Sequence, residues 1–145
     1  MPKILFVCHG NICRSPAAEM VMRTLAGEWA VDSAATTREE LGNEIYPPMR
    51  RALARRGIPI VPHRARQTTA ADYGRYDYII GMDEENRFDL LRIYHGDPAD
   101  KISLLMEWAG ERREVSDPWY TRDFEKALDD IERGCRALIM RLAEK

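Results

Sequence analysis

The sequence has no long hydrophobic run, and this absence excludes whole classes of protein. Its longest apolar runs, residues 4–8 and 102–106, fall far short of the about 20 residues that a membrane-spanning helix needs. A secretory signal is not expected either, because residues 1–3 lead directly into a short run that is typical of a core strand. We therefore expect a cytoplasmic protein that does not associate with membranes.

The sequence also lacks a large excess of positive or negative charge. The chain carries 22 Lys and Arg residues against 24 Asp and Glu residues, for a net charge of -2. Basic and acidic residues are intermixed, so the sequence lacks the positively charged patch that binds nucleic acid. One local cluster, the four arginines of residues 50–56, is typical of a solvated helix surface. Nucleic acid is therefore not expected as a partner.

Only three cysteines are present, which argues against a disulfide framework and favours thiol chemistry in a reducing compartment. Cys135 is one of a series of apolar residues that recur at helical spacing near the end of the chain, so we assign it to the core. Cys8 and Cys13 remain, five positions apart in one short segment. That spacing makes the segment the first candidate for a functional site.

Short apolar runs alternate with amphipathic stretches, a pattern typical of an α/β fold with a parallel sheet. The predicted strands are residues 4–7, 31–35, 78–80 and 102–106. Residues 4–7 are continuously apolar, as expected of a strand buried on both faces. We predict an α/β fold in which residues 1–145 form a single domain, with an open four-stranded parallel sheet and helices on both faces.

The predicted helices occupy the stretches between and after the strands. Ser15 is placed to cap the first helix, with Pro16 at its first position. Two prolines open and a glycine ends a second helix over residues 47–57. Asp83 is a natural cap for the third helix. The last helix carries six residues on one face: Phe124, Leu128, Ile131, Cys135, Leu138 and Leu142.

The segment from Cys8 to Ser15 lies between the first strand and the first helix. It consists of a cysteine, five residues, an arginine and a serine, CHGNICRS. Ligands in parallel sheets bind at the carboxyl ends of strands. A tight loop that enters a helix directs backbone N–H groups inward, and the helix dipole adds positive charge. The segment is therefore a candidate cradle for phosphate, and the lack of a lysine after its glycine excludes a Walker-type loop.

Each side chain of this loop suits phosphate chemistry. Cys8 faces the positive field of the loop, which favours the nucleophilic thiolate. The planar fork of Arg14 can hold two phosphoryl oxygens and stabilise transition-state charge. Gly10 permits close backbone approach or positive φ, Asn11 tolerates a left-handed conformation, and Ser15 can donate a hydrogen bond to the sulfur. A cysteine and an arginine at this spacing also occur by chance, but their place between a strand and a helix favours a function.

Residues 7–16, VCHGNICRSP, resemble the signature of the low-molecular-weight protein tyrosine phosphatases. The similarity runs nearly end to end and includes Asp32-Ser33, His63, Arg66, Met82-Asp83-Glu84 and Asp117-Pro118. The resemblance implies a single domain of four parallel strands and hydrolysis of phosphotyrosine through a cysteinyl phosphate. It implies that Cys8 is the nucleophile and that Arg14 binds the phosphate. The rest of the phosphate-binding loop is then His9, Gly10, Asn11, Ile12, Cys13 and Ser15, with His9 in place of the leucine often found there.

The resemblance also implies roles and partners outside the loop. Ser33 and His63 resemble residues that brace the loop through hydrogen bonds to Asn11 and its neighbours. The expected substrates are proteins that contain phosphotyrosine, and the expected inhibitors are inorganic phosphate and other oxyanions. The protein is expected to act as a monomer, without a metal or a cofactor.

Hydrolysis needs an acid for the leaving oxygen, and Asp117 is the candidate. Taken alone, an Asp-Pro pair is equally consistent with a turn. Residues 117–120, DPWY, resemble the family loop that supplies the general acid and base. Trp119 and Tyr120 are expected to form the rim of the pocket and to stack on a substrate ring. A deep slot with aromatic walls favours tyrosyl phosphate over the shorter seryl ester.

Other functions share parts of this pattern. A thioredoxin-coupled arsenate reductase needs two further cysteines downstream, and only Cys135 follows the loop. Protein arginine phosphatases of the same fold commonly have a threonine where this chain has Ile12, and an apolar residue there favours an aryl ester. Cysteine-phosphorylated transport subunits lack the loop arginine. A non-catalytic phosphate-binding module would be expected to lose Cys8 or Asp117.

Cys13 suggests redox control of the same loop. An accessible thiolate is the cysteine that peroxide oxidises first, and a neighbouring thiol can trap the resulting sulfenic acid as a disulfide. The spacing alone leaves a small buried residue beneath the loop equally open. The family resemblance favours Cys13 as the redox partner of Cys8.

Overall fold

A computed structural model describes residues 1–143, so the last two residues of the predicted domain lie outside the described part. Its four strands are β1 Lys3–Cys8, β2 Ala30–Ala35, β3 Tyr78–Gly81 and β4 Ile102–Leu104. All neighbouring strands in these residues are parallel, and their order is β2-β1-β3-β4. The predicted open parallel sheet is confirmed, with β1 and β3 at its centre.

Six α-helices lie within the described residues. In chain order they are α1 Arg14–Leu25, α2 Pro47–Arg55, α3 Glu84–Ile93, α4 Leu105–Trp108, α5 Pro118–Thr121 and α6 Phe124–Ala143. A 3-10 helix, Ala70–Gly74, precedes β3. The sequence predicted neither this turn nor α5. Among residues 1–143, no helix has the length and apolar character to cross a membrane.

The side chains of β1 alternate between two apolar clusters, as the period of two in a strand requires. Ile4 and Phe6 face the larger cluster, which also contains residues of α1, α2 and α6. Leu5 and Val7 face the smaller cluster, which contains residues of α3. All four side chains are completely buried. The continuous apolar run therefore reflects burial on both faces, and helices cover both faces as predicted.

The last predicted helix is confirmed as α6. Five of its six predicted positions are buried, namely Phe124, Leu128, Ile131, Cys135 and Leu138. Leu142 is partly buried at the end of the same face. Cys135 has no exposed surface, in agreement with its assignment to the core.

Two local predictions are wrong. The strand predicted over residues 102–106 ends at Leu104, where a carboxylate oxygen of Glu107 accepts a hydrogen bond from the Leu104 backbone N–H at 2.8 Å and closes a helical turn. A buried apolar run does not by itself distinguish a strand from a helix. Ser15 does not cap α1, because the cap is Cys13 and the Ser15 hydroxyl contacts Cys8 instead. Pro16 is consequently the third residue of α1 and not the first.

Candidate active site

One open pocket lies at the carboxyl end of β1. Its lining residues come from the loop after β1, the loop after β2 and the start of α5: Cys8, His9, Gly10, Ile12, Cys13, Arg14, Glu39, Glu40, Asp117, Trp119 and Tyr120. The parallel sheet explains this convergence, since the carboxyl ends of neighbouring strands meet at one edge. The pocket brings together Cys8, Arg14 and Asp117.

The loop after β1 turns at Asn11, whose φ of 59° lies in the left-handed region. Asparagine adopts that conformation more readily than other side chains that have a Cβ. Gly10 is not among the residues with positive φ. A Cβ at Gly10 would lie 3.3 Å from Cγ of Glu40. The glycine therefore allows the side chain of Glu40 to approach the loop backbone closely. The left-handed turn is therefore made by Asn11, and the glycine makes room for a neighbouring loop.

Asn11 is completely buried, and both its side-chain amide and its backbone oxygen have hydrogen-bond partners. Its side-chain nitrogen donates to the hydroxyls of Ser15 at 2.9 Å and Ser33 at 3.0 Å. Its side-chain oxygen accepts from the backbone N–H of Arg66 at 3.1 Å. Nε2 of His63 lies 2.8 Å from the Asn11 backbone oxygen, so Nε2 carries a hydrogen and donates. Asn11 thus links the loop to β2 and to the segment that contains His63 and Arg66.

The direction of these hydrogen bonds leaves the proton of the Ser15 hydroxyl for one of two acceptors, the sulfur of Cys8 at 3.0 Å or the backbone oxygen of Ala34 at 3.4 Å. The Ser33 hydroxyl donates to Oε1 of Glu19 at 2.7 Å, which leaves its oxygen to accept from Asn11. The Ser15 hydroxyl likewise accepts from Asn11 and lies 3.0 Å from Cys8 Sγ. The Ser15 backbone N–H also donates to this sulfur, at 3.4 Å. Both contacts suit a thiolate, which accepts hydrogen bonds and donates none.

Arg14 is 2% exposed and is held by polar groups from two loops, the one after β3 and the one between α4 and α5. Its Nη1 donates to Oδ2 of Asp83 at 2.8 Å and to the backbone oxygen of Val115 at 2.9 Å. Its Nη2 lies 3.4 Å from Oδ2 of Asp117. Burial alone lowers the pKa of Arg14, but the charges of Cys8, Asp83 and Asp117 outweigh it and raise the pKa above its ordinary value. The guanidinium is therefore a permanent positive charge at the floor of the pocket.

Asp117 caps a helix and faces the pocket at the same time. Its Oδ1 accepts a hydrogen bond from the Trp119 backbone N–H at 3.0 Å, and Pro118 occupies the first turn of α5. Its Oδ2 is the oxygen nearest to Arg14. The Asp-Pro pair therefore begins a short helix, and one carboxylate oxygen remains available to the pocket.

Two aromatic residues contribute to the wall of the pocket. Trp119 is 46% exposed and Tyr120 is 81% exposed, so neither is a core residue. The ring of Trp119 packs against Tyr46, with 4.9 Å between the ring centroids. The Tyr46 backbone N–H donates to the backbone oxygen of Ile12 at 2.8 Å. Tyr46 thus fixes this wall relative to the loop.

Cys13 is buried in the same loop, while its side chain contributes to the pocket lining. Burial raises the pKa of the Cys13 thiol, and the charges of Cys8 and Asp117 raise it further, against opposing contributions from Arg14 and Arg122. All three cysteines of the chain are free. Cys13 is therefore a protonated thiol beside a candidate thiolate.

The sequence reasoning missed several residues of the pocket. It treated Asp83 only as a helix cap and family motif, although Asp83 also holds Arg14. A carboxylate just after a strand that neighbours β1 was a usable signal, because both strand ends lie at one edge. Glu39 and Glu40 follow β2, the other neighbour of β1, and carried the same signal. Tyr46 lies in a loop, and no sequence pattern indicated its contact with Trp119.

The fold and the loop define a class of α/β protein in which a cysteine ends the first strand of a parallel sheet and a short loop leads from it into a helix. The sequence model of the low molecular weight phosphotyrosine protein phosphatases matches residues 3–145. A human low molecular weight phosphotyrosine protein phosphatase is 42% identical, with 94% of this chain and 92% of the human protein aligned. The crystal structure of YfkJ from Bacillus subtilis superposes with a TM-score of 0.94 at 35% identity, covering 99% of this chain and 96% of YfkJ.

The chain belongs to the low molecular weight phosphotyrosine protein phosphatase family, and it is a hydrolase of that family. The crystal structure of DARP, a Drosophila arginine phosphatase, also superposes, with a TM-score of 0.89 at 29% identity and 97% of each chain covered. One fold therefore accommodates proteins named for different phosphorylated residues. The choice of substrate therefore depends on the residues that line the pocket.

Proposed function

We propose that this protein hydrolyses phosphotyrosine in proteins through a covalent cysteinyl phosphate, as a cytoplasmic monomer without a metal or a cofactor. The observation that carries the proposal is the shared pocket of Cys8, Arg14 and Asp117. The loop supplies an anion site, the sulfur supplies a nucleophile, and the carboxyl group supplies an acid. A reducing compartment would keep the nucleophile and the two other free cysteines as thiols.

In the first step, the Cys8 thiolate attacks phosphorus while the bond from phosphorus to the tyrosyl oxygen breaks. Asp117, as a carboxylic acid, gives its proton to the departing oxygen. Arg14 stabilises the equatorial phosphoryl oxygens, and its attachment to Asp83 and Val115 keeps the fork in place. The hydroxyl of Ser15 remains hydrogen-bonded to the sulfur.

In the second step, water attacks the phosphorus of the cysteinyl phosphate. The Asp117 carboxylate takes a proton from this water, and the sulfur leaves as a thiolate. Inorganic phosphate is released, which returns the site to its starting state. Because phosphate occupies the same loop, it should act as a competitive inhibitor.

The nucleophile is tested with Cys8→Ser and a phosphotyrosine peptide. We expect turnover to disappear while the variant still folds and binds vanadate, because the anion site remains. Cys135→Ser is the matched control, since it removes a buried thiol that does not line the pocket and should retain turnover. Activity that survives in Cys8→Ser, or that needs a divalent ion after treatment with chelator, would contradict the mechanism.

The acid is tested with Asp117→Asn, which can still cap α5 but cannot supply a proton. A substrate with a phenolic leaving group should lose about 100-fold or more in kcat, whereas one whose leaving group needs no protonation should lose far less. Equal losses on both substrates would assign Asp117 to structure alone.

The substrate class is tested by comparing phosphotyrosine with phosphoarginine in peptides of one sequence. Ile12 lines the pocket and is nearly buried, so the wall beside the substrate is apolar at this position. An apolar wall suits an aromatic ring better than a guanidinium. We expect a clear preference for phosphotyrosine. A preference for phosphoarginine would overturn this part of the proposal.

We further propose that Cys13 protects Cys8 from irreversible oxidation. Peroxide oxidises the Cys8 thiolate to a sulfenic acid, and Cys13 then forms a disulfide with it and releases water. While Cys8 carries a charge, that charge helps to keep Cys13 protonated. Oxidation of Cys8 removes this contribution and eases the attack by Cys13.

The redox proposal is tested with peroxide and a dithiol. The wild-type protein should be inactivated reversibly and should contain a disulfide between Cys8 and Cys13 by mass spectrometry. Cys13→Ser should be active but should not recover after peroxide, whereas the control Cys135→Ser should recover fully. If Cys13→Ser recovered as well as the wild type, Cys13 would have only a packing role.

A further inference from the structure

The part of the pocket wall that the loop after β2 supplies is polar and acidic. Glu39 and Glu40 line it, and they come from the loop that follows β2. Cγ of Glu40 lies next to Gly10 of the phosphate-binding loop, because a Cβ on that glycine would be 3.3 Å away. Glu40 therefore packs against the phosphate-binding loop, and both glutamates line the same pocket as that loop.

His9 joins the loop to this wall. Its Nε2 lies 2.6 Å from Oε2 of Glu39, and its Nδ1 lies 3.5 Å from Oε1 of Glu85. One imidazole carries at most one positive charge, so even the imidazolium leaves the carboxylates in excess. Oε1 of Glu40 is contacted by the neutral amide of Asn43 at 3.1 Å, which does not cancel its charge. Arg14 is the only lysine or arginine among the described residues that line the pocket, and it is paired with Asp83.

We propose that Glu39 and Glu40, with Glu39 positioned by His9, select phosphotyrosine sites that have lysine or arginine next to the phosphotyrosine and reject sites with acidic neighbours. The inference rests on the proposed function. When the phosphoryl group occupies the loop, the residues that flank the phosphotyrosine lie at the mouth of the same pocket, which Glu39 and Glu40 also line. A basic side chain there meets two carboxylates, and an acidic side chain is repelled.

The anion site and the acidic wall act on different parts of the substrate. The loop and Arg14 attract the phosphoryl dianion at the floor of the pocket. The carboxylate of Glu39 is exposed in the pocket wall, where it acts on flanking residues. Interactions at an exposed rim are screened by salt, whereas contacts at the buried floor are screened less. Selection of flanking residues should therefore weaken with ionic strength while turnover continues.

Three phosphotyrosine peptides test this inference. They carry alanine, lysine or glutamate at the positions directly before and after the phosphotyrosine, and kcat/KM is measured for each at low salt. We expect the lysine peptide to exceed the glutamate peptide by roughly tenfold. The combined variant Glu39→Gln and Glu40→Gln should reduce this ratio to about two- or threefold. Salt at about 0.5 M should reduce it similarly in the wild type.

Glu28→Gln is the matched control, because it removes one exposed carboxylate just before β2 begins, at the opposite edge of the sheet. Its ratio should equal that of the wild type. Equal rates for the lysine and glutamate peptides in the wild type, or an unchanged ratio in the double variant, would overturn this inference alone. If the alanine peptide is not hydrolysed either, the proposed function fails, and this inference fails with it.

Discussion

Asp83 connects the phosphate-binding loop to the third helix through its two carboxylate oxygens. Its Oδ1 accepts a hydrogen bond from the Asn86 backbone N–H at 2.8 Å and caps α3. Its Oδ2 accepts from Nη1 of Arg14 at 2.8 Å. A neutral amide has one accepting atom, so it cannot serve both partners. The orientation of a buried arginine therefore depends on the negative charge of a helix cap.

Asp83→Asn should lower kcat/KM for an aryl phosphate by about 10- to 100-fold. The amide can either cap α3 or accept from Arg14, so the arginine fork loses part of its support. Steady-state kinetics and vanadate affinity measure the effect.

A matched control is Asp97→Asn. Asp97 likewise accepts hydrogen bonds with both carboxylate oxygens, from the backbone N–H groups of Lys101 and Ile102, but it does not line the pocket. Both variants should lower the melting temperature, and only Asp83→Asn should lower kcat/KM. Similar activities in the two variants would show that Asp83 contributes stability and not the placement of Arg14.

The sequence identified the residues that lie in one contiguous motif better than the residues that lie far apart. Cys8, Arg14 and Ser15 follow one another in the loop, so their spacing carries the information. Asp83 and Tyr46 reach the site only through the order of the strands and through side-chain packing. The position of Asp83 directly after a strand was a signal that becomes informative only with the strand order, and no local pattern encodes the contact of Tyr46 with Trp119.

At the scale of elements, α6 packs against α4 at Gly134. A Cβ at this position would lie 2.5 Å from Cγ of Leu105, which is completely buried. The short helix α4 therefore approaches the backbone of α6 directly. Glycine is required here by the close contact and not by its backbone conformation.

Gly134→Ala should destabilise the protein by about 1–3 kcal/mol. Alanine in a helix interior normally adds up to about 1 kcal/mol relative to glycine. Here the clash with Leu105 is expected to exceed that gain, because a buried side chain in a packed core has little room to move. Urea denaturation measures the change in the free energy of unfolding.

Gly74→Ala is the control, since its added Cβ has no neighbour within 4 Å. It should leave the free energy of unfolding within about 0.5 kcal/mol of the wild-type value. If Gly134→Ala is as stable as the wild type, Leu105 has moved aside and the contact is not a constraint.

The elements that the sequence predicted best are those with a long or unambiguous pattern. Helix α6 repeats its apolar positions over many turns, and β1 is apolar without interruption. The apolar run of residues 102–106 was misassigned beyond Leu104 because buried residues of a strand and of a helix look alike over so short a distance. Asp117 and Pro118 form a start signal for helix α5. The helix has only four residues, too few to show a repeating pattern of apolar positions.

At the scale of the whole molecule, a polar cluster centred on Asp72 ties distant segments together. The carboxylate of Asp72 is almost completely buried and accepts hydrogen bonds from Arg66 at 3.0 Å, Thr68 at 2.7 Å and the Thr69 backbone N–H at 3.0 Å. The Thr68 hydroxyl also contacts the hydroxyl of Tyr94, at the end of α3, at 2.6 Å. Arg66 donates its backbone N–H to Asn11, so the cluster connects the global fold with the phosphate-binding loop.

This cluster predicts how stability depends on pH. Burial by itself raises the pKa of Asp72, but the hydrogen bonds from Arg66, Thr68 and Thr69 outweigh it and hold the pKa below its usual range. A carboxyl group with a lowered pKa in the folded state contributes stability above its unfolded pKa of about 4, and this contribution disappears as the pH falls through the folded pKa. Asp72→Asn should therefore lower the free energy of unfolding at pH 7 by about 3 kcal/mol and by less at about pH 3. Urea denaturation at both pH values measures this loss in the free energy of unfolding. Asp129 is exposed, so Asp129→Asn serves as the control and should change the free energy of unfolding by less than about 1 kcal/mol. An equal loss at the two pH values would mean that the charge of Asp72 contributes nothing and that only its shape matters.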